Sequence, residues 1–322
     1  MAVFTPVTDR EVAELLTQFA IGEFVSLQGI TSGIENSNFY VSTNRGCWVL
    51  TIFEKLQEKE LGFYLQLCRH LGLQGLKVSS PEPTKAGQLL SAIQGKPCSL
   101  APCLPGQSEE VPPLSAVSDL GGMLARMHLG VRDFHLTQKN QKGLEFWQEA
   151  IPLLKPRMPA DLFELLQEEV RAQEAFFSSG LYLGLDKGAV HADLFRNNAL
   201  IENGRIGGVF DFYFACTAPF LYDIAVTMND WCINLDTGAF DAEKAQAFIS
   251  AYDAVRPLSE AEHDAWPMML RAAALRFWVS RLYDFYLPRK ASLLKPHDPA
   301  HFERILKLRR AASQEALPWP SR

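Results

Sequence analysis

The chain has 322 residues, 48% of them hydrophobic and 21% charged, with a net charge of −6. That composition is ordinary for a globular protein, and the length allows two domains or one domain of two lobes. It excludes disorder, a basic nucleic-acid footprint and a membrane-spanning apolar run.

The opening residues, MAVFTPVTDREV, lack the basic-then-apolar order of a signal peptide. Residues 8–20, TDREVAELLTQFA, predict a helix: Thr8 and Glu11 make a capping box, and Val12, Leu15, Leu16 and Phe19 share one face. Strands are expected at FVSLQGIT (24–31), NFYVST (38–43) and CWVLTIF (47–53), all rich in β-branched and aromatic residues. Asn44, Arg45 and Gly46 supply the turn between the last two. A helix is expected at 58–72, and 87–104 reads as a hairpin turning at Gly95-Lys96. PGQSEEVPPLS (105–115) is a Pro/Gly/Ser-rich junction, after which the chain turns helical: 115–131, 144–154, 161–178 and most of the chain from 220. Ser259 and Glu262 form a second capping box before the run ending RAAALRFWVSRLYDFY. The expected architecture is therefore α+β and two-lobed, a sheet-rich lobe over 1–104 and a mainly helical lobe over 105–322. The six cysteines, Cys47, Cys68, Cys98, Cys103, Cys216 and Cys232, form no C-x-x-C pair, so reduced, mostly buried thiols in a cytoplasmic protein are expected.

One polar island stands out in the second lobe. VHADLFRNNALI (190–201) places His191, Asp193 and Asn198 between two apolar runs, and Asp211 follows the apolar strand IGGVF, eighteen residues beyond Asp193. Either acid alone reads as turn chemistry. Together they are a parts list for phosphoryl transfer: a carboxylate to take a hydroxyl proton, and an amide oxygen and a second carboxylate for a hard cation that also binds phosphates.

HADLFRNN, VFDFYFAC and LYDIA resemble the aminoglycoside phosphotransferase and choline kinase branch of the protein-kinase-like family. ITSGIENSNFYV, WVLTIFEK, NDWC and LRFWVSRLYD extend that resemblance, over nearly the whole chain, to the bacterial homoserine kinase group of the branch. The resemblance implies ATP and Mg²⁺ as cofactor and metal, and L-homoserine as the small-molecule acceptor, with no nucleic-acid or membrane partner. It makes Asp193 the catalytic base, Asn198 and Asp211 the Mg²⁺ ligands, and His191 and Asp223 supports of the catalytic loop. Asp223 also reads as an acid favoured at a helix N-terminus.

The first lobe is then expected to cover ATP. SGIENSNF belongs over the phosphates, with Gly33, Ser37 and Asn38 reaching them, and the backbone of Leu100 and Cys103 in a 99–103 hinge pairs with adenine. The family's third-strand lysine is replaced by Thr51, as the subgroup resemblance implies; Lys55 is a candidate cation, but reads slightly better as a solvated lysine. For the acceptor, a carboxylate calls for arginine and an ammonium for an acid. Arg276, Arg281, Asp230 and Tyr213 are the candidates, and five residues of helix turn Arg276 and Arg281 roughly 140° apart, so both cannot face one point without help, and one of them is a candidate structural arginine paired with a carboxylate such as Asp284. Two rival readings stand beside this one: a kinase of the same fold acting on an aminoglycoside, choline or a methylthio-sugar, and a non-catalytic kinase-like binding protein.

Overall fold

The structure, a computed structural model, describes residues 5–31, 35–287 and 297–320. It divides into two units, one of Met1–Gln107 with Gly207–Tyr213 and one of Ser108–Ile206 with Phe214–Arg322. The second crossing, over 207–213, is absent from a reading that places one boundary near 105.

The first unit is an antiparallel sheet with two helices. Its elements are α1 (Asp9–Leu16), β1 (Phe24–Ile30), β2 (Ser37–Thr43), β3 (Gly46–Ile52), α2 (Glu58–Leu73), β4 (Ser91–Ile93) and β5 (Lys96–Pro102), with strand order β1-β2-β3-β5-β4. The register sets Phe39 opposite Leu50, and Leu50 opposite Leu100. Alternation then sends Phe39, Val41, Leu50, Ile52, Cys98 and Leu100 to one face, where Val12, Leu15, Leu16 and Phe19 close the core. The Thr8–Glu11 capping box forms as its spacing predicts. The β4–β5 turn places Gln94 and Gly95 at φ 50° and 75°, the doubly left-handed geometry of a tight hairpin. The later segment docks here by backbone: the Val209 amide donates to the Lys77 carbonyl at 2.9 Å, and the Ser79 amide to the Val209 carbonyl at 3.0 Å.

The expectation of six reduced cysteines is corrected at one pair. Cys47 and Cys103 form a disulfide, with Cα atoms 5.5 Å apart. They are 56 residues apart in sequence, but the β3–β5 register, Trp48 opposite Pro102, makes them the next facing pair. Cys68, Cys98, Cys216 and Cys232 are free and buried.

The second unit contains α3 (Leu114–Gly130), α4 (Leu144–Leu154), α5 (Ala160–Phe177), the short α6 (Gly180–Leu183), β6 (Lys187–Val190), β7 (Ala199–Glu202), β9 (Cys216–Pro219), α7 (Phe220–Trp231), α8 (Ala242–Asp253), α9 (Glu260–Tyr286) and α10 (Ala300–Ala311). The chain leaves it along β8 (Arg205–Val209). β6 pairs with β9 antiparallel. α3 and α8 pack backbone to backbone at Gly121, where a Cβ would lie 2.2 Å from the Phe248 carbonyl oxygen. α7 is buried along its whole length, including Asp223, Asn229 and Asp230. A helix that buries acids must supply each with donors, since an unpaired buried charge costs several kcal/mol, roughly. Among the described residues, no helix is long and apolar enough to cross a membrane.

Candidate active site

The donors that α7 needs are the backbone of the 191–198 loop. The Asp223 carboxylate accepts the amides of His191 at 2.9 Å and Ala192 at 2.7 Å. Two turns along the helix, Asp230 accepts the Arg196 amide at 2.8 Å and its Nε at 3.0 Å. The neighbouring Trp231 indole donates to the Leu194 carbonyl at 3.2 Å. Spacing of seven residues puts Asp223 and Asp230 on one face of the helix, so the loop hangs from two carboxylates on a buried rod. Ala192 sits at φ 61°, a left-handed conformation that a residue with a Cβ adopts only when held there. The two amides on Asp223 hold it.

Asp223 has a further donor. His128 of α3 places Nε2 3.1 Å from its Oδ2, while His128 Nδ1 lies 2.7 Å from the Tyr252 hydroxyl of α8. With Asp223 accepting, Nε2 carries the proton and Tyr252 donates to Nδ1, a neutral imidazole. Burial pushes the His128 pKa down and outweighs the pull of Asp223. Burial alone pushes Asp223 up, but the His128 hydrogen bond, with the charge and amide interactions around it, leaves the carboxyl below its ordinary range. Neutral His128 on ionised Asp223 satisfies both directions. Tyr252 in turn takes a 3.3 Å bond from Arg256, which is anchored on Glu262 at 2.9 Å.

Within the loop, the Asn198 amide nitrogen donates to the Asp193 carbonyl at 2.8 Å and to its Oδ2 at 3.2 Å. That fixes the Asp193 side chain and leaves the Asn198 oxygen as the group for a cation. Arg276 of α9 brings its Nη2 to 3.5 Å from Asp193 Oδ1. Its guanidinium lies over the rings of Phe277 at 3.9 Å and Phe214 at 4.9 Å.

In the first unit, Asp211 sits just past β8 at φ 66°. The residue is open to solvent, yet protein crowds its carboxyl: desolvation, with the nearby charge of Glu35, pushes it up to about 6. A cation would relieve that cost. Mg²⁺ prefers oxygen ligands and takes much of its shell from phosphates and water, and the Asn198 amide oxygen and the Asp211 carboxylate are each a donor of the type it takes. Among the described residues no group of three or more His, Cys, Asp or Glu forms a protein cage for a metal. Tyr213 packs edge-on against Phe53 and Tyr64, with centroids at 5.3 and 6.0 Å. Thr51, in place of the family's lysine, donates to Asn38 Oδ1 at 2.8 Å. Tyr213 is thus a packing residue of its own unit.

Several other expected residues have different tasks. Gly33 lies outside the described residues. Ser37 is fully buried, accepting the Thr5 amide at 2.9 Å and donating to Glu54 at 2.6 Å, so its hydroxyl is not turned to a phosphate. Glu54 is also bonded by Lys96. The Leu100 carbonyl accepts the Glu82 amide at 2.7 Å, and the Cys103 amide donates to the Cys47 carbonyl at 3.0 Å. Lys55 lies half-exposed, 3.6 Å from Glu35. Asp230 is consumed by Arg196 and does not await an ammonium. Arg281 covers the Phe302 ring at 4.5 Å and reaches the Asp298 carbonyl at 3.4 Å. It is the structural arginine of the pair, and its partner is not Asp284. Arg196, Trp231 and His128 are the supports that motif reading missed. A cavity of about 230 Å³ between α4, α6, β9, α7 and α9, lined by Asn140, Trp147, Tyr182, Thr217, Tyr222 and Met269 among others, includes neither Asp193 nor Arg276 in its wall.

Comparison with known proteins gives this geometry its class. Residues 26–258 match the model of the phosphotransferase enzyme family, and the chain belongs to that family. Its relatives are more particular. The homoserine kinase of Cupriavidus metallidurans is 49% identical over 99% of this chain and 100% of that protein, and that of Janthinobacterium sp. is 48% identical over 96% of each. Among solved structures, amicoumacin kinase hAmiN in complex with AMP-PNP, Ca²⁺ and Ami superposes with a TM-score of 0.70 at 17% identity, covering 97% of this chain and 96% of that one. The choline kinase LicA of Streptococcus pneumoniae gives 0.63 at 15%, covering 94% and 99%. These likenesses establish the two-lobed, kinase-like α+β fold.

Proposed function

We propose that the chain transfers the γ-phosphoryl group of ATP to the hydroxyl of L-homoserine, forming O-phospho-L-homoserine for threonine synthesis. The observation that carries the reading is full-length similarity, near half identity, to proteins named homoserine kinase. The loop geometry supplies the chemistry. Asp193, fixed by Asn198 and carried on a loop that α7 holds, takes the acceptor's proton as its oxygen bonds to phosphorus and the bond to ADP breaks. Asn198 and Asp211 would each offer an oxygen to Mg²⁺, which would neutralise phosphate charge. Asp223 positions the loop, with His191 buried beneath it. Asn38, fixed by Thr51, keeps its amide nitrogen for a phosphate oxygen. A cytoplasmic setting fits the four buried free thiols, while the Cys47–Cys103 disulfide counts against it.

A cationic acceptor such as choline or an aminoglycoside fits less well, because Arg276 places a buried positive charge beside Asp193. The test is ADP release with Mg-ATP against L-homoserine, choline, an aminoglycoside, a methylthio-sugar and no acceptor. Turnover confined to L-homoserine is expected; turnover with another alcohol in its place overturns the acceptor.

A further inference from the structure

Arg276 is an unusual arginine. It is 4% exposed, lies over two phenyl rings, and its Nη2 makes no hydrogen bond. The nearest acid is Asp193, at 3.5 Å, beyond hydrogen-bond length. A guanidinium normally spends its donors when buried, because each idle donor keeps its desolvation cost. Arg256 and Arg309 spend theirs on Glu262, Asp186, Asn229 and Gly238, although the Arg256 Nε is idle as well. Arg276 keeps a donor in reserve beside the group that takes the acceptor's proton.

We infer that Arg276 is the specificity residue for the acceptor's carboxylate, holding it so that the hydroxyl of the same molecule falls on Asp193. The inference rests on the L-homoserine reading and names the feature of that substrate which is selected. Three observations favour a carboxylate over a neutral group. The donor is charged and planar, suited to a carboxylate fork. Its aromatic walls exclude water, so only a strong acceptor repays its desolvation. L-Homoserine is also short, so one molecule brings its carboxylate and hydroxyl to two protein groups this close together. The Asp193 carboxylate cannot serve as the filler itself without being drawn away from the hydroxyl it must deprotonate. Arg281, turned to Phe302 and Asp298, is not the clamp.

The rival use of Arg276 is contact with the transferred phosphoryl group. Two acceptors separate the two: L-homoserine and 3-aminopropan-1-ol, which is the same alcohol without the carboxylate. For the wild-type protein with Mg-ATP, kcat/KM is expected to fall about a hundredfold or more on removing the carboxylate. In Arg276→Gln, kcat/KM for L-homoserine falls by a similar factor, mainly through KM, and the loss for 3-aminopropan-1-ol is at least about tenfold smaller. Arg276→Lys, which keeps the charge and loses the fork, is expected to fall between. Equal losses for both acceptors in Arg276→Gln would assign the residue to the phosphoryl group and overturn the inference. So would a wild-type protein that uses 3-aminopropan-1-ol as well as L-homoserine, a result that needs no variant to fold. No product from L-homoserine in the wild type is the separate failure, that of the acceptor reading itself, and it takes the inference with it.

Discussion

The Asp223 carboxylate accepts the Ala192 amide at 2.7 Å while Ala192 stands at φ 61°, so a buried acid holds the residue before Asp193 in a conformation it would otherwise leave. Left-handed backbone at a residue with a Cβ costs about 1–2 kcal/mol, and a charge-assisted bond to a buried carboxylate is of the size needed to offset it. Asp223→Asn turns an amide NH₂ toward donors and leaves one of them unpaired. It is expected to lower stability by about 3 kcal/mol and to reduce kcat with it. Ala192→Gly removes the φ cost, so adding it to Asp223→Asn should recover part of both losses. Denaturant unfolding and turnover of the two singles and the double decide this.

His128 makes stability depend on pH. Its folded pKa lies below the ordinary 6.5, burial being the cause. Below about 6.5 the unfolded chain therefore takes up a proton that the folded one refuses. Stability is expected to fall as pH drops from 7 toward 5. Asp223, lowered from 3.8, adds its own loss only at still lower pH. Thermal unfolding of His128→Gln across that range should start lower at pH 7 and slope less. An unchanged slope would show that His128 is not the titrating group.

Asp211 carries the opposite sign. Its folded pKa is raised from 3.8 to about 6 by desolvation, so its contribution is most favourable below pH 3.8 and is lost as pH rises through 6. At neutral pH the ionised group is a local cost. Asp211→Asn, which tolerates the same left-handed backbone, is expected to raise the thermal midpoint of the ligand-free protein at pH 7.5, with the gain shrinking toward pH 4.5. The same variant should lose metal-dependent turnover, and Mg²⁺ should raise the midpoint of the wild type more than that of the variant when ATP is present.

Asp193→Asn keeps the hydrogen-bonding shape of the loop and removes the base. A loss in kcat of about 10²–10⁴-fold is expected, with ATP binding by calorimetry nearly unchanged. Full turnover in this variant would remove Asp193 from its role.

Local patterns were legible from the chain alone. Phe39, Val41, Leu50 and Ile52 alternate as a half-buried sheet must, and Thr8 with Glu11 marks a helix start within four residues. Asp193 and Asn198 were legible because both lie in one short loop. What escaped depends on which distant element arrives. Asp230 looked available for an ammonium because nothing in NDWC says that Arg196, 34 residues earlier, meets the same face of α7. Cys47 and Cys103 become neighbours only through the β3–β5 register. His128 had a readable trace: Leu120, Leu124 and His128 repeat every four residues, which puts the imidazole on the buried face of α3. Its tie to Asp223 needed the fold.

The return of residues 207–213 to the first unit means that the two units are not two consecutive genes' worth of chain. A single cut near 107 gives an N-terminal fragment lacking the strand residue that bonds Lys77 and Ser79, and lacking Asp211 with it. The remaining fragment carries those residues away as an orphaned loop. Neither half is a self-sufficient module for shuffling into another protein. Split pieces of this chain should regain turnover only when mixed, as complementing fragments, and an insertion at 107 should be tolerated better than a truncation there.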